Sequence, residues 1–170
     1  MNVFMTNGTL DYLLKIKESH RNDSMLLMVR EDAALLLHET SGETVFKEPR
    51  SYETIEAIGT FENAGYVVMN HIPVTDEGRP IFEHRFKNRD GSIDNQPGFV
   101  GIRVLRPLSS DTYVILTLWK NEADFDGWKK SSDFGKSHQK GGSGPEGVKP
   151  PRKIFSGASY VTKYYIPIEE

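Results

Sequence analysis

An asparagine and a histidine interrupt an apolar run that otherwise reads as a β-strand. They are Asn70 and His71, within GYVVMNHIPV in the second half of this 170-residue chain. Because side chains alternate between the two faces of a strand, at most one of them can face a ligand pocket. A side-chain amide there can donate a hydrogen bond to a ligand, although buried amides more often satisfy neighbouring polar groups of the protein.

A tryptophan and a histidine, Trp128 and His138, lie ten residues apart further along the chain. On a continuous helix, ten steps of about 100° return to within roughly 80° of the same direction, so the two side chains could border one cavity. Gly135 lies between them and favours a helix end or bend. The ordinary alternatives are an amphipathic core residue for Trp128 and a structural role for a lone histidine.

Several other chemistries are excluded by what the sequence lacks. With no cysteine, the chain has no disulfide, thiolate nucleophile, iron–sulfur cluster or thiolate haem ligand. The histidines show no HExxH spacing, and no GxSxG, P-loop or GxGxxG motif is present. If the chain carries out redox chemistry, we therefore expect the redox centre to be its substrate or another bound group. The five histidines are at positions 20, 38, 71, 84 and 138.

The charge distribution is uneven. A net charge of −3 argues against a general nucleic-acid binder. Residues 128–153, however, carry seven basic and two acidic groups, and the basic stretch runs from Lys129 to Lys153. It is either a solvated loop or a surface suited to an anionic small molecule such as one bearing carboxylates.

No export signal or membrane span is visible in the sequence. The start, MNVFMTNGTLDYLL, lacks a basic region followed by an apolar run, and no stretch of about 18 apolar residues occurs. We expect a cytoplasmic protein that does not bind membranes.

The second half of the chain predicts the element order β-α-β-β-α-β. Strands are indicated by GYVVMNHIPV, FVGIRVLRPL, TYVILTLWK and ASYVTKYYIPI, and helices by EGRPIFEHRFKNR and by NEADFDGWKKSSDFGKSH, with Asn121 as N-cap. This is the ferredoxin-like α+β order. We assign it to a domain spanning residues 66–168.

Residues 1–65 form an additional α+β N-terminal half. NVFMT, SMLLMVRE, AALLLHETS and YETIEAIG favour strands, and TLDYLLKIKESH favours a helix. Two interpretations are open: a degenerate second ferredoxin-like unit, or an unrelated extension that covers an edge or face of the sheet.

The segment LTLWKNEADFDGWKKSSDFGKSH, with PGFVGIRV upstream, closely resembles the second half of the antibiotic-biosynthesis-monooxygenase domain. The resemblance covers roughly residues 66–168 and is strongest to the IsdG-type haem-degrading branch. In that branch an asparagine on the first strand, a tryptophan on the second helix and a histidine ten residues later mark the pocket. The matching residues here are Asn70, Trp128 and His138.

The segment HRFKNRDG, with Phe86 sixteen residues beyond Asn70, resembles the haem-contacting stretch of the same branch. This resemblance implies that Arg85, Phe86 and Arg89 contact haem. The length, with an N-terminal half before the domain, is similar to the HmoB type of the branch. The family belongs to the dimeric α+β barrel superfamily; if residues 1–65 take the place of the second subunit, the chain would be a monomer rather than a homodimer.

The resemblance implies a haem-degrading monooxygenase that opens the porphyrin ring and releases iron for acquisition or detoxification. His138 would be the axial ligand of the haem iron, Asn70 a hydrogen-bond donor where oxygen is activated, and Trp128 a bulky group pressing on the macrocycle. Haem would be both substrate and oxygen-activating group. Because no flavin or nicotinamide motif is present, electrons would come from a separate reductase or chemical donor.

Two alternatives belong to other functional classes. One is a cofactor-independent monooxygenase of the same superfamily, in which a small aromatic substrate supplies the electrons. The other is a non-catalytic haem-binding protein that uses the same pocket for storage or sensing.

Overall fold

Eight antiparallel strands close into one barrel in the residues that the computed structural model describes, which are 1–87, 91–131 and 154–167. The order around the barrel is β1-β3-β2-β8-β5-β7-β6-β4. The strands are β1 (Asn2–Gly8), β2 (Ser24–Arg30), β3 (Ala33–Thr40), β4 (Arg50–Gly59), β5 (Tyr66–Pro73), β6 (Phe99–Pro107), β7 (Thr112–Trp119) and β8 (Tyr160–Tyr165).

The helices pack outside the barrel. They are α1 (Leu10–Ser19), α2 (Arg79–Lys87) and α3 (Glu122–Lys129), with a short 3-10 helix at Ser92–Asn95. Thr9 caps α1 by accepting from the Tyr12 amide at 3.2 Å, and Asn121 caps α3 by accepting from the Asp124 amide at 2.9 Å. Asn121 is therefore the N-cap that the sequence predicts. Within the described residues, every helix is too short or too polar to span a membrane.

Both halves of the chain have the same strand order. In the N-terminal half β1 lies between β3 and β4, and β3 pairs with β2; in the C-terminal half β5 lies between β7 and β8, and β7 pairs with β6. Residues 41–49 connect β3 to β4 where the C-terminal half has α3. The predicted fold class, ferredoxin-like α+β with an additional α+β half, is confirmed. Both halves contribute strands to one barrel. The division into separate domains at residue 65 stays a prediction.

Two seams join the halves, and they differ in length. β4 and β6 pair from Tyr52↔Pro107 to Gly59↔Gly101, with a bulge at Ile55. β2 and β8 share the single pair Val29↔Tyr165. The β4–β6 seam therefore provides most of the backbone hydrogen bonding between the halves.

Alternation along β5 determines which side chains face the site. Val67 and Met69 point into the barrel, where they join a core contributed by all eight strands of the described chain. Tyr66, Val68 and Ile72 point outward, under the helices. Asn70 belongs to the outward set.

Candidate functional site

Asn70 lies in the middle of the outer face of β5. It is half-buried, and its neighbours across the sheet are Ile115 on β7 and Val161 on β8. Val68 and Ile72 precede and follow it on the same face. Since a strand rises about 3.3 Å per residue, each of these two lies roughly 7 Å from Asn70 along the strand.

The Asn70 amide has no hydrogen-bond partner among residues 1–87, 91–131 and 154–167. On the same face, Trp119 Nε1 donates to Thr117 Oγ1 at 3.0 Å, so both of these polar groups are satisfied within the protein. A half-buried amide without a protein partner is available to a ligand. The geometry therefore does not support the structural role that an amide in a strand more commonly has.

His71 faces the interior of the barrel, as the alternation predicts. Its Nε2 shares a hydrogen bond of 2.8 Å with Thr162 Oγ1, and its ring stacks on Tyr160 with 4.5 Å between centroids. Burial lowers the pKa of His71 to about 4, so the ring is neutral at physiological pH. This histidine is structural and does not reach the outer face.

Trp128 lies on the last turn of α3 and borders one side of the site. Its ring stacks on Trp119 with 5.8 Å between centroids and lies 6.2 Å from Phe125. These side chains belong to a group under α3 that we call the α3 cluster, comprising Tyr66, Val68, Ile93, Trp119 and Phe125, with Trp128 packed against it. Trp128 is thus fixed beyond the Val68 side of Asn70.

Helix α3 is shorter than the sequence predicts. It ends at Lys129, and the Ser131 amide and hydroxyl both donate to the Trp128 carbonyl, at 2.9 and 2.6 Å. The angle that relates Trp128 to His138 assumes an unbroken helix and therefore does not apply. His138 and Arg89 lie outside the described residues.

Helix α2 borders the opposite side of the site. Phe86 lies 4.9 Å from Phe82, ring centroid to ring centroid. Both belong to a second group, the α2 cluster, which comprises Ile72, Val74, Phe82 and Tyr113, with Phe86 packed against it. Arg85 is half-buried and makes no ion pair or hydrogen bond with the described part of the chain, so its guanidinium is available to an anion.

A polar network that the sequence does not reveal attaches α2 to the barrel. Glu83 accepts two hydrogen bonds from Arg106 on β6 and one from the Tyr113 hydroxyl on β7. Hydrogen bonding to Arg106 holds the pKa of Glu83 below its usual value. Arg79 Nη2 donates to the Pro107 carbonyl at 2.8 Å. The sequence gives one sign of this network: in the strand FVGIRVLRPL, alternation places Arg106 on the outer face among apolar residues.

Together these residues form a site with a free amide between two aromatic groups. The α3 cluster lies on one side of Asn70 and the α2 cluster on the other, with the Arg85 cation on the α2 side. Such a surface suits a flat apolar ligand that carries an anionic group and needs a hydrogen bond at its centre. No three histidine or carboxylate side chains in the described residues gather as a metal site.

The sequence of the C-terminal half is similar to a known family of monooxygenase-like domains. Residues 65–140 match the family model described as antibiotic biosynthesis monooxygenase, so this part of the chain is similar to that family. The resemblance to the IsdG-type branch is confirmed, because the related proteins include one named for haem degradation.

Two curated relatives carry different names. One is a heme-degrading monooxygenase of Listeria monocytogenes, 28% identical over 129 residues, which are 76% of this chain and 77% of that protein. The other is the signal transduction protein TRAP of Staphylococcus epidermidis, 26% identical over 177 residues, covering 100% of this chain and 99% of that protein.

Solved structures show the same fold along the whole chain. A structure described as a major regulator of staphylococcal pathogenesis superposes with a TM-score of 0.83 at 24% identity, covering 99% of this chain and 100% of that one. The heme-degrading enzyme LmHde of Listeria monocytogenes superposes with a TM-score of 0.71 at 23% identity, covering 98% and 100%. These likenesses establish the fold shared by all three proteins.

Proposed function

We propose that this protein is a haem-degrading monooxygenase that opens the porphyrin ring with O2 and external electrons and releases iron. The observation that carries the proposal is the Asn70 amide, half-buried and without a partner among the described residues, between two aromatic clusters. A sheet face with a free amide at its centre, apolar walls and the Arg85 cation on one side fits a porphyrin, which is flat, apolar at its centre and anionic at its propionates. Bound haem would supply both the iron that activates oxygen and the ring that is oxidised.

The described residues have distinct parts in this proposal. The Asn70 amide would donate a hydrogen bond at the place where bound haem activates oxygen, and an amide is too weak an acid to give up its proton there. Trp128 and Phe86 hold the macrocycle from the two sides and exclude water. Arg85 binds a propionate by a charge-assisted hydrogen bond.

The remaining parts of the proposal lie outside the described residues. His138 is proposed as the axial ligand of the iron, and Arg89 with the basic stretch Lys129–Lys153 as further groups for the propionates. The electron donor is proposed to be a separate reductase or a chemical reductant, and the protein is proposed to act in the cytoplasm in iron acquisition. The relative from Listeria monocytogenes that is named for haem degradation supports the proposed activity on haem.

A second candidate is a non-catalytic ligand-binding protein with a regulatory role. The observation that favours it is coverage: the match to the signal transduction protein TRAP spans 100% of this chain, whereas the match to the heme-degrading monooxygenase spans 76%. The same site would then bind haem or another flat anion without turning it over.

A titration with haemin separates these candidates. Purified protein is titrated with haemin, and then ascorbate and catalase are added in air while the visible spectrum is recorded. Decay of the Soret band with release of chelatable iron supports the monooxygenase, and a stable one-to-one complex supports the regulatory binder. Absence of binding contradicts both and favours a cofactor-independent monooxygenase.

The variant His138→Ala tests the proposed iron ligand in the same assay. We expect loss of the Soret shift on titration, since the iron then lacks its axial imidazole. His20→Ala is the matched control, because His20 lies in the N-terminal half, where its Nδ1 contacts the Ile16 carbonyl at 2.9 Å. Equal spectra for both variants would contradict the assignment of His138.

A further inference from the structure

A cleft in the N-terminal half lies outside the site described above. It has a volume of about 750 Å³. One wall is α1, where Tyr12, Ile16 and the C-capping His20 are spaced by four residues and so share a face. The floor is β1 at residues 5–7, and the other wall is the segment 45–50 that precedes and begins β4. The cleft is within the size range of small-molecule sites.

This cleft is the counterpart of the C-terminal site within the repeated strand order. Met5 on β1 and Met69 on β5 both face the barrel interior, so the next residues, Thr6 and Asn70, occupy matching outward positions. Leu13 and Phe82 are each the buried fourth residue of the first helix of their half. Three residues after Leu13 and Phe82, the matching positions hold Ile16 in α1 and Arg85 in α2. At these matching positions the N-terminal half has a hydroxyl in place of an amide and an alkyl group in place of a cation.

Two cationic side chains line the wall of the cleft opposite α1. Lys47 and Arg50 lie on the segment opposite α1, and Arg50 Nη2 donates to Asn7 Oδ1 on the floor at 3.1 Å. These two cations outnumber the single carboxylate, Glu48, among the lining residues. The apolar side chains of the lining are those of Tyr12, Ile16, Val45 and Phe46.

Contacts with β3 hold the start of the 45–50 wall in place. His38 on β3 is buried, and its Nδ1 shares a hydrogen bond of 2.9 Å with Thr44 Oγ1. Thr44 Oγ1 also accepts from the Phe46 amide at 3.3 Å, and the Phe46 ring packs 5.7 Å from the His38 ring. The cleft is therefore preformed, which reduces the entropy lost when a ligand binds.

We propose that this cleft binds a small amphipathic carboxylate, with its apolar body against α1 and its carboxylate towards Lys47 and Arg50. The proposal does not rest on the function assigned to the C-terminal site. It gives the protein a second ligand site of different polarity, about one half-barrel away from Asn70.

Two-dimensional 1H–15N NMR with 4-phenylbutanoate as the probe tests this site, and 4-phenylbutanamide is its uncharged analogue. We expect saturable shifts confined to amides of residues 5–7, 12–20 and 45–50, with the analogue binding about tenfold more weakly. The Lys47→Gln/Arg50→Gln double variant should weaken binding about tenfold, since two exposed charge contacts together contribute on the order of 1.4 kcal/mol.

Two controls make the result decisive. Lys15→Gln removes an exposed lysine of α1 that does not line the cleft, and Asn70→Ala alters the C-terminal site. Both should bind 4-phenylbutanoate as the wild type does. Scattered or non-saturating shifts, shifts centred on β5, or equal binding of the amide would each overturn the proposal, whatever the outcome for haem.

Discussion

Arg103 and Glu39 form a buried ion pair that joins the two halves of the chain inside the barrel. Arg103 Nε lies 2.6 Å from Glu39 Oε2, and the two side chains are 5% and 14% exposed. Arg103 also donates to the carbonyls of Ile58, Gly59 and Ile102, each at 2.9 Å. The guanidinium therefore links β3 and β4 of the first half to β6 of the second.

Removing the carboxylate from this pair should destabilise the whole barrel. We expect Glu39→Gln to lower the free energy of unfolding by about 3 kcal/mol, because a buried guanidinium is left without its counter-ion. Urea unfolding followed by circular dichroism measures the change. Glu43→Gln, at an exposed position just beyond β3, is the control and should cost less than about 0.5 kcal/mol. Equal midpoints for the two variants would show that the pair does not couple the halves.

The buried ring of His71 predicts a loss of stability in acid. Burial lowers its pKa from 6.5 to about 4 in the folded protein, whereas the unfolded chain binds a proton near pH 6.5. The free energy of unfolding should therefore fall as the pH drops from 6.5 to 4, by about 3 kcal/mol from this group.

The variant His71→Gln isolates this contribution, since glutamine can still hydrogen-bond Thr162 and does not titrate. We expect it to be less stable than the wild type at pH 7 and to lose about 3 kcal/mol less between pH 7 and pH 4. Parallel stability curves for the two proteins would mean that His71 is protonated as easily in the folded state as in the unfolded chain.

The network around Glu83 should govern both stability and ligand binding. Glu83→Gln weakens the attachment of α2 to Arg106 and Tyr113, so we expect a loss of about 2 kcal/mol and weaker haemin binding. Glu77→Gln, at an exposed position just before α2, is the matched control. Spectrophotometric titration and urea unfolding give the two readouts. A loss of stability with unchanged haemin affinity would show that the attachment of α2 does not affect haem binding.

The closed barrel predicts a monomer. In the described chain the N-terminal half supplies four of the eight strands, so the barrel is completed without a second subunit. Size-exclusion chromatography with light scattering should give a mass near 19.3 kDa. A mass near twice that value would contradict this prediction.

The strands and helices could be predicted because their apolar patterns are local. SMLLMVR and AALLLHET form continuous apolar runs, and the structure explains why: β2 and β3 are covered inside by the barrel core and outside by α1. The order of the second half followed from the same kind of pattern. The length of α3 could not be predicted in this way. Ser131 donates to the Trp128 carbonyl where the helix ends, and the helix-favouring residues around it do not reveal this contact.

The site could be predicted only in part, for a related reason. Alternation indicates that Asn70 and His71 point to opposite faces, and the structure shows which one faces the helices. The partners of Glu83 lie 23 and 30 residues away, so only the folded chain brings them together. The single pair that closes the barrel, Val29↔Tyr165, is likewise invisible to a local pattern.

The most direct test of the central claim compares haem turnover by the wild type and by Asn70→Ala. Both are loaded with one equivalent of haemin and supplied with ascorbate and catalase in air, and Soret decay and released iron are followed. Asn22→Ala is the control, since it removes an exposed amide in the N-terminal half. We predict that the wild type and Asn22→Ala degrade haem, while Asn70→Ala binds haem but turns it over at least about tenfold more slowly, as expected for losing a hydrogen bond at the reacting centre. Degradation at the same rate in all three proteins, or in none, would contradict the proposal that Asn70 is the catalytic amide of a haem-degrading site.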